Sequence, residues 1–172
     1  MDTRGKIAWH TCEHCETRFT GSMRMGMAQA WIGLAECMQK DEPIRLSAEN
    51  NYAAALCANG EVGVAEAICR AVLKEQRRIC GEDHPDVVTT AENLASCLYR
   101  QGKHEEAEAV FREVLSILKR TRGENHPDTL NTIGTLALCL FAKDGRLAEA
   151  EALYEEFQTV VQVYLDYSEY HE

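Results

Sequence analysis

The sequence is poor in proline, in basic residues and in long apolar runs. Only three of its 172 residues are proline, and 18 lysines and arginines face 28 aspartates and glutamates, for a formal net charge of −10. Because phosphate binding requires clustered lysine and arginine, this balance argues against nucleic acid and anionic membranes as partners. No apolar run is long enough to cross a bilayer, and residues 1–10 lack the apolar stretch of a secretory signal.

Sequence motifs of catalysis are missing as well. The two glycines of Gly60-Glu61-Val62-Gly63 lie in a predicted helical turn and form no phosphate-binding loop. Serine, histidine and aspartate gather in no nucleophile motif. The acidic run Glu105-Glu106-Ala107-Glu108 is interpreted as a solvated helix face in preference to a cation site. These absences predict that the chain is not an enzyme.

The few prolines are evenly spaced. Pro43, Pro85 and Pro127 lie 42 residues apart, and the segment Gly81–Asp86 recurs as Gly123–Asp128. Asn51-Tyr52-Ala53 matches Asn93-Leu94-Ala95 and Thr135-Leu136-Ala137 at the same spacing. Ala65-Glu66-Ala67 matches Ala107-Glu108-Ala109, and Ala150-Glu151-Ala152 matches them after one inserted residue near Asp144-Gly145 in the third copy. A fixed period of this size is typical of repeat arrays, in which each repeat is one supersecondary unit.

Each copy is predicted to form two helices. In the second copy Gly81 ends the preceding helix in a left-handed conformation, Asp83 or His84 caps the next helix, and Pro85 occupies its first turn. Gln101-Gly102-Lys103 is the turn between the helices. The predicted apolar faces are Val87, Val88, Ala91, Leu94, Ala95 and Leu98, then Ala107, Val110, Phe111, Val114, Leu115 and Leu118.

The large side chain at one repeat position is expected to fill the space beside the small residues where helices cross. Phe111 holds this position in the second copy, Tyr154 in the third and the smaller Cys69 in the first. Before the repeats, an apolar stripe at helical spacing predicts a capping helix that packs on the first copy. The stripe consists of Met23, Met27, Trp31, Leu34 and Met38.

The predicted architecture is all-α, because each helix pair must bury its apolar face against a neighbouring pair. The predicted divisions are an N-terminal segment at 1–21, a capping helix at 22–38, repeats at 39–80, 81–122 and 123–165, and a tail at 166–172.

Four motifs of the second copy carry a resemblance to a known family. In chain order they are Gly81–Asp86, Asn93-Leu94-Ala95, Gln101-Gly102-Lys103 and Glu106-Ala107-Glu108-Ala109. As a set they resemble the tetratricopeptide repeat of the kinesin light chain type, over about three quarters of the chain. The resemblance implies a right-handed α-solenoid of three helix pairs with an N-terminal capping helix. It also implies that the first helices line a concave groove, and it implies no catalysis.

The resemblance implies a set of groove residues. Asn51 and Asn93 match groove asparagines of the family, whose amides can hold the backbone of an extended peptide, while Thr135 departs from the pattern. Alternatives are a helix-to-helix hydrogen bond for the asparagines and packing between repeats for Tyr99 and Phe141. The predicted partner-binding residues are Ser47, Asn50, Asn51, Ala54, Cys57, Thr89, Glu92, Asn93, Ser96, Tyr99, Asn131, Gly134, Thr135, Leu138 and Phe141.

This predicted groove contains no lysine or arginine. A clamp for a C-terminal carboxylate is therefore not expected, since Asn50, Ala54 and Asn131 hold the matching places. Acidic peptides, which kinesin light chain grooves favour, fit poorly beside Glu92. We expect a neutral or mildly basic, partly apolar partner polypeptide.

The eight cysteines favour a reducing, cytoplasmic compartment over a disulfide framework. Six of them lie within helical patterns, where cysteine is expected to act as a small buried residue. These are Cys37, Cys57, Cys69, Cys80, Cys97 and Cys139. Cys97 and Cys139 share one repeat position, which Ala55 holds in the first copy.

The N-terminal segment differs from the rest. Cys12 and Cys15 have the spacing of a zinc knuckle, and His10 and His14 are the nearest further ligands. The segment resembles the end of a small zinc-binding module, and the alternative is a tail with two incidental thiols. Zinc at this segment is the one cofactor predicted.

Three functions remain open on sequence. The first is a non-enzymatic scaffold that binds a partner peptide or helix in the concave groove. The second is a zinc-containing substrate-recognition fragment of a larger ubiquitin-ligase-like or methyl-reader protein. The third is self-association through exposed repeat ends.

Overall fold

A computed structural model describes residues 21–35, 37, 39, 42–142, 146–155 and 157–158. Within these ranges there are seven helical segments and no strand, so the fold is an all-α helical repeat. The helices are α1 Gly21–Ala35, α2 Pro43–Asn59, α3 Val62–Cys80, α4 Pro85–Arg100, α5 His104–Arg122 and α6 Pro127–Phe141. The seventh, α7, covers residues 147–155 and 157–158.

The chain divides into two compact units, Met1–Gly81 and Glu82–Glu172. In the first unit α2 packs against both α1 and α3. Its core is built mainly of small and branched side chains, and the buried members from α2 and α3 include Leu46, Ala53, Leu56, Ala65, Cys69 and Val72.

The prediction for the capping helix is corrected in two respects. The helix spans Gly21–Ala35, and Cys37 lies outside it. The predicted stripe is not its buried face, because Met23 and Leu34 are largely exposed while Ala28 and Ala35 are buried. The small alanines permit a close approach of helices, and a stripe drawn through the largest residues misplaced the contact face.

In the second unit α5 packs against both α4 and α6. All six residues predicted for the apolar face of α4 are buried, as are Ala107, Phe111, Val114 and Leu118 of α5. From α6 the core receives Ile133, Leu136 and Leu140. Fully burying one such aliphatic side chain contributes about 1.5–3 kcal/mol, so this apolar core holds the three helices together.

Helices α4 and α6 begin in the same way. The Nδ1 atoms of His84 and His126 accept hydrogen bonds from the backbone N–H groups of Asp86 and Asp128, both at 3.2 Å. A proline follows each histidine at the first helical position, where its missing N–H removes no hydrogen bond. His84 is therefore the cap of α4, and Asp83 instead forms an ion pair with Arg120.

Tight turns join the two helices of each of the first two pairs. Gly60 and Gly102 have φ of 96° and 77°, values that residues other than glycine rarely adopt. The N–H groups of Glu61 and Lys103, the residues after these glycines, donate to the carbonyls of Leu56 and Leu98 at 2.9 and 3.0 Å. This pattern is a Schellman motif, and it folds each second helix back against the first.

The cysteine prediction holds for four of the six positions. Cys57, Cys69, Cys97 and Cys139 are buried free thiols. Cys37 and Cys80 are exposed, because one follows the end of α1 and the other is the last residue of α3. In the part of the chain that the structure describes, no helix is both long and apolar enough to span a membrane.

Candidate partner-binding site

The predicted groove residues of the first unit are less accessible than expected. Asn50 and Cys57 are buried, and Ser47, Asn51 and Ala54 are half-buried. Asn50 and Cys57 are therefore not accessible groove residues as predicted, and the burial of Cys57 agrees with its other predicted role as a small buried residue. The physical reason is that α2 has packed neighbours on two sides, α1 and α3.

On α4, some of the predicted groove residues form hydrogen bonds within the helix itself. The hydroxyls of Thr89 and Ser96 donate to the carbonyls of Pro85 and Glu92, one turn earlier, at 3.0 and 2.9 Å. The ring of Tyr99 meets that of His104 edge to face, with centroids 5.2 Å apart. This contact fits the alternative of structural packing for Tyr99, although the residue stays half-exposed, as does Asn93.

Glu92 connects α4 to α6. The hydroxyl of Thr132, which is buried, lies 2.9 Å from both Glu92 Oε1 and the Asp128 carbonyl oxygen. It has one hydrogen for two acceptors. Burial raises the pKa of Glu92, and the Thr132 hydrogen bond and the charge of Arg122 partly oppose that rise.

The predicted residues of α6 are the most accessible. Leu138 and Phe141 are exposed by 63% and 67%, which is unusual for large apolar side chains of a packed helix. Asn131 is exposed, and the hydroxyl of Thr135 donates to its carbonyl at 2.9 Å. Gly134 lies between them on the helix. We define the inner face as Glu92, Asn93, Ser96 and Tyr99 of α4 with Asn131, Thr135, Leu138 and Phe141 of α6.

A cavity of about 460 Å³ opens between α6 and α7. We call it the end cavity. Its lining is almost entirely apolar, and the residues that α7 supplies are Leu147, Ala150, Glu151, Tyr154 and Phe157. The rings of Tyr154 and Phe157 stack with centroids 6.2 Å apart.

The sequence prediction missed this cavity. Tyr154 was expected to fill a core space, yet it is 52% exposed, whereas Phe111 at the same repeat position is 2% exposed. Nothing in the described chain covers the α7 side in the way that α6 covers α5. The signal that could have revealed the cavity is that no further repeat follows α7 in the described chain.

The acidic run on α5 fits its prediction at Glu105 and Glu106, which are exposed, but not at Glu108. Glu108 does not lie on a solvated face but is buried. Its carboxylate accepts two hydrogen bonds from Arg146 at 2.8 and 2.9 Å and one from Arg112 at 3.0 Å. Both arginines also pair with Glu149. Because Arg146 directly precedes α7, the cluster ties α5 to the following helix.

The predicted zinc ligands His10, Cys12, His14 and Cys15 lie outside the described residues. Among the residues that the structure does describe, no group of three or more histidine, cysteine, aspartate or glutamate residues could hold a metal ion. Zinc binding therefore stays a prediction for the N-terminal segment.

Comparison with known families decides the assignment. The family model described as Tetratricopeptide repeat matches residues 45–120 and 86–158. The chain belongs to the tetratricopeptide repeat family. No curated protein matches the chain.

Solved structures agree with this tetratricopeptide repeat fold. A kinesin light chain from Podosopora anserina with nearly identical TPR-like repeats is 25% identical, with a TM-score of 0.71 over 84% of this chain and 67% of that chain. A singly substituted form of the same protein is 26% identical, with a TM-score of 0.66 over 80% and 68%. BtubC (BKLC) from P. vanneervenii is 19% identical, with a TM-score of 0.71 over 81% and 55%, and indicates the fold alone.

Proposed function

We propose that this tetratricopeptide repeat chain is a non-enzymatic interaction module that binds a partner polypeptide on its inner face. The observation that carries the proposal is the exposure of Leu138 and Phe141 on α6. Large apolar side chains flanked by polar ones are the usual composition of an interface core and rim. Membership of a family of repeat scaffolds supports the same reading.

The chemistry of the inner face indicates the partner's composition. Its one charged residue is Glu92, and it contains no lysine or arginine. A partner segment that is apolar or mildly basic would fill it without leaving a buried charge unpaired. An acidic segment would meet Glu92 with no positive charge on this face to compensate.

We also propose the cytoplasm as the compartment. Cys97 and Cys139 occupy a buried position that alanine takes in the first repeat, so their role is that of small apolar residues. A protein that uses thiols in this way is suited to a reducing environment.

The test is to select binding peptides from a random library displayed on phage, using the full chain. The dissociation constant of a selected peptide is then measured for the variant Asn93→Ala/Tyr99→Ala. Central anchors of an interface usually cost over ~1 kcal/mol each, so we expect affinity to fall by more than about tenfold. Both residues lie on α4, the part of the inner face that does not line the end cavity, so the result separates binding at the α4 side from binding in the cavity.

The matched control is Asn125→Ala/Tyr52→Ala, which removes the same side chains elsewhere and should leave the affinity unchanged. Thermal unfolding of each variant separates a loss of binding from a loss of fold. A fall of less than about threefold in the α4 variant, with its fold intact, would count against the proposal.

A further inference from the structure

We infer that the end cavity receives an α-helix of a partner polypeptide, whose apolar face fills the cavity and whose lysine or arginine pairs with Glu151. The end cavity shares Asn131, Thr135, Leu138 and Phe141 of α6 with the inner face. The inference therefore extends the proposed function to the α7 side and rests on it in taking a polypeptide as the ligand. The cavity volume of about 460 Å³ and the exposure of Leu138, Phe141, Leu147 and Tyr154 show that the described residues leave this surface unfilled.

The preceding helix pair indicates that the ligand is a helix. There the corresponding surface is covered by α6, which packs directly on α5. Phe111 and Val114 of α5, which correspond to Tyr154 and Phe157, are consequently buried. The Sγ atom of Cys139 on α6 lies 3.6 Å from the His104 carbonyl at the start of α5. A helix is therefore the element that this repeat pattern places on such a surface.

The ionic contacts of the preceding pair indicate a basic ligand. Glu108 of α5 pairs with Arg112 one turn later and with Arg146 of the following pair. In α7 the residue that corresponds to Glu108 is Glu151, which is exposed and lines the end cavity. One turn later Glu155 replaces the arginine. Within the described chain no hydrogen bond or ion pair reaches Glu151, so a ligand cation would supply the charge that Arg146 supplies to Glu108.

The same register argues against a second copy of this chain as the ligand. Arg146 precedes Ala150 by four residues, and Lys103 precedes Ala107 by four. The first repeat instead has Glu61 four residues before Ala65. A second copy stacked in register would bring Glu61 against Glu151, and like charges at close range are unfavourable.

The overall charge points the same way. Residues 82–172 hold 18 acidic and 8 basic residues, whereas residues 1–81 hold 10 of each. The whole net charge of −10 therefore falls in the unit that contains the end cavity. Such a field favours association with a basic helix.

The experiment uses the full chain and a synthetic peptide of residues 123–152, the segment that covers α5 in this structure. Its five acidic residues are replaced by their amides, so that Lys143 and Arg146 leave the peptide basic. Its helix is stabilised by a hydrocarbon cross-link between positions 131 and 135. Isothermal titration calorimetry measures its affinity for the chain. We expect the Arg146→Glu form of the peptide to bind at least about tenfold more weakly, because close charge pairs at interfaces couple by over ~1.5 kcal/mol.

A charge swap sharpens the assignment. The variant Glu151→Lys should reverse the preference and bind the Arg146→Glu peptide better than the unmodified peptide. The control Glu124→Lys makes the same charge change at an exposed turn outside the cavity and should leave the preference as it was. Tyr154→Asp should weaken both peptides by placing a charge in the apolar lining.

Two results would overturn the inference. One is absence of binding, or equal binding of both peptides to the chain and to Glu151→Lys. The other is a concentration-dependent dimer of the free chain that Tyr154→Asp abolishes, which would assign the cavity to a second copy. The variant Asn93→Ala/Tyr99→Ala should bind the peptide normally, so failure of the inner-face proposal and failure of this one are distinguishable.

Discussion

Phe111 in α5 and Tyr154 in α7 occupy the same repeat position and have opposite environments. Phe111 is 2% exposed and Tyr154 is 52% exposed. Glu108 and Glu151 differ in the same direction, since the first is buried between two arginines and the second is exposed. Ala107 and Ala150 are both buried. The difference shows that the next helix in the array determines whether the outward face of a pair's second helix is buried. Burial of the face towards the first helix is determined within the pair.

The largest expected contrast is between the two aromatic positions. Phe111→Ala should lower the free energy of unfolding by about 3–5 kcal/mol, because it leaves a cavity in a closed core. Tyr154→Ala should cost less than about 1 kcal/mol, since its ring is half in water. Urea unfolding followed by circular dichroism measures both. Similar losses in the two variants would contradict the comparison.

The next largest contrast in stability is expected between substitutions of Glu108 and Glu151. Glu108→Ala removes the acceptor of two hydrogen-bonded arginines and should cost about 1–3 kcal/mol. Glu151→Ala should lie within about 0.5 kcal/mol of wild type, and it relieves the like charge of Glu155 one turn away. The same urea titration is the measurement. An equal cost at both positions would mean that Glu151 is already paired.

The helix caps of α4 and α6, in contrast, should contribute equally to stability in the two pairs. His84→Ala and His126→Ala each remove one side-chain acceptor from a helix start and should each cost about 0.5–2 kcal/mol. The two losses should agree with each other, because both caps are local and have the same 3.2 Å geometry. A loss confined to one helix would show that the neighbouring pair contributes to the cap.

The smallest expected effect is a pH dependence of stability that comes from Glu92 in the second repeat. The third repeat has Gly134 at the matching position and lacks this titrating group. The folded-state pKa of Glu92 lies above its ordinary value of 4.5 because of burial. An acid with a raised pKa destabilises the fold when ionised, so the penalty is present above the folded pKa and disappears as pH falls through it. Wild type should therefore gain stability relative to Glu92→Gln as pH falls towards 4.5.

The matched control for this titration is Glu124→Gln, at an exposed turn residue. Unfolding free energies of the three proteins are compared across the acidic range. Parallel curves for Glu92→Gln and wild type would show that Glu92 is not the titrating group. The side-chain amide in the Glu92→Gln variant can still accept from Thr132, so a difference reports charge and not a lost hydrogen bond.

Much of the fold was predictable because its signals are local. Proline at the first helical position and a turn glycine each act within a few residues, and each was found where the sequence placed it. Of the two predicted cap candidates, Asp83 and His84, the structure selects His84. The face of α4 was likewise predictable from its periodicity. The burial of Asn50 was not, because it depends on packing against two other helices.

The candidate sites were predictable only in part. The register named Leu138 and Phe141, and both are exposed, but whether they or any inner-face residue binds a partner stays a prediction. The α7 lining of the end cavity was missed, because the repeat pattern alone assigns Tyr154 the environment of Phe111. Glu108 was misread for a similar reason, since its partner Arg146 lies 38 residues away in sequence.

The sequence by itself determined the period, the helices, their caps and turns, and the apolar face along which α4 and α5 pack. These depend on backbone chemistry and side-chain spacing within a single repeat. Only the tertiary structure decided that Glu108 is enclosed while Glu151 is exposed, and that an apolar cavity remains beside α7. Burial of a second helix depends on a neighbour that its own repeat does not encode, and three-dimensional packing alone reveals whether that neighbour is present.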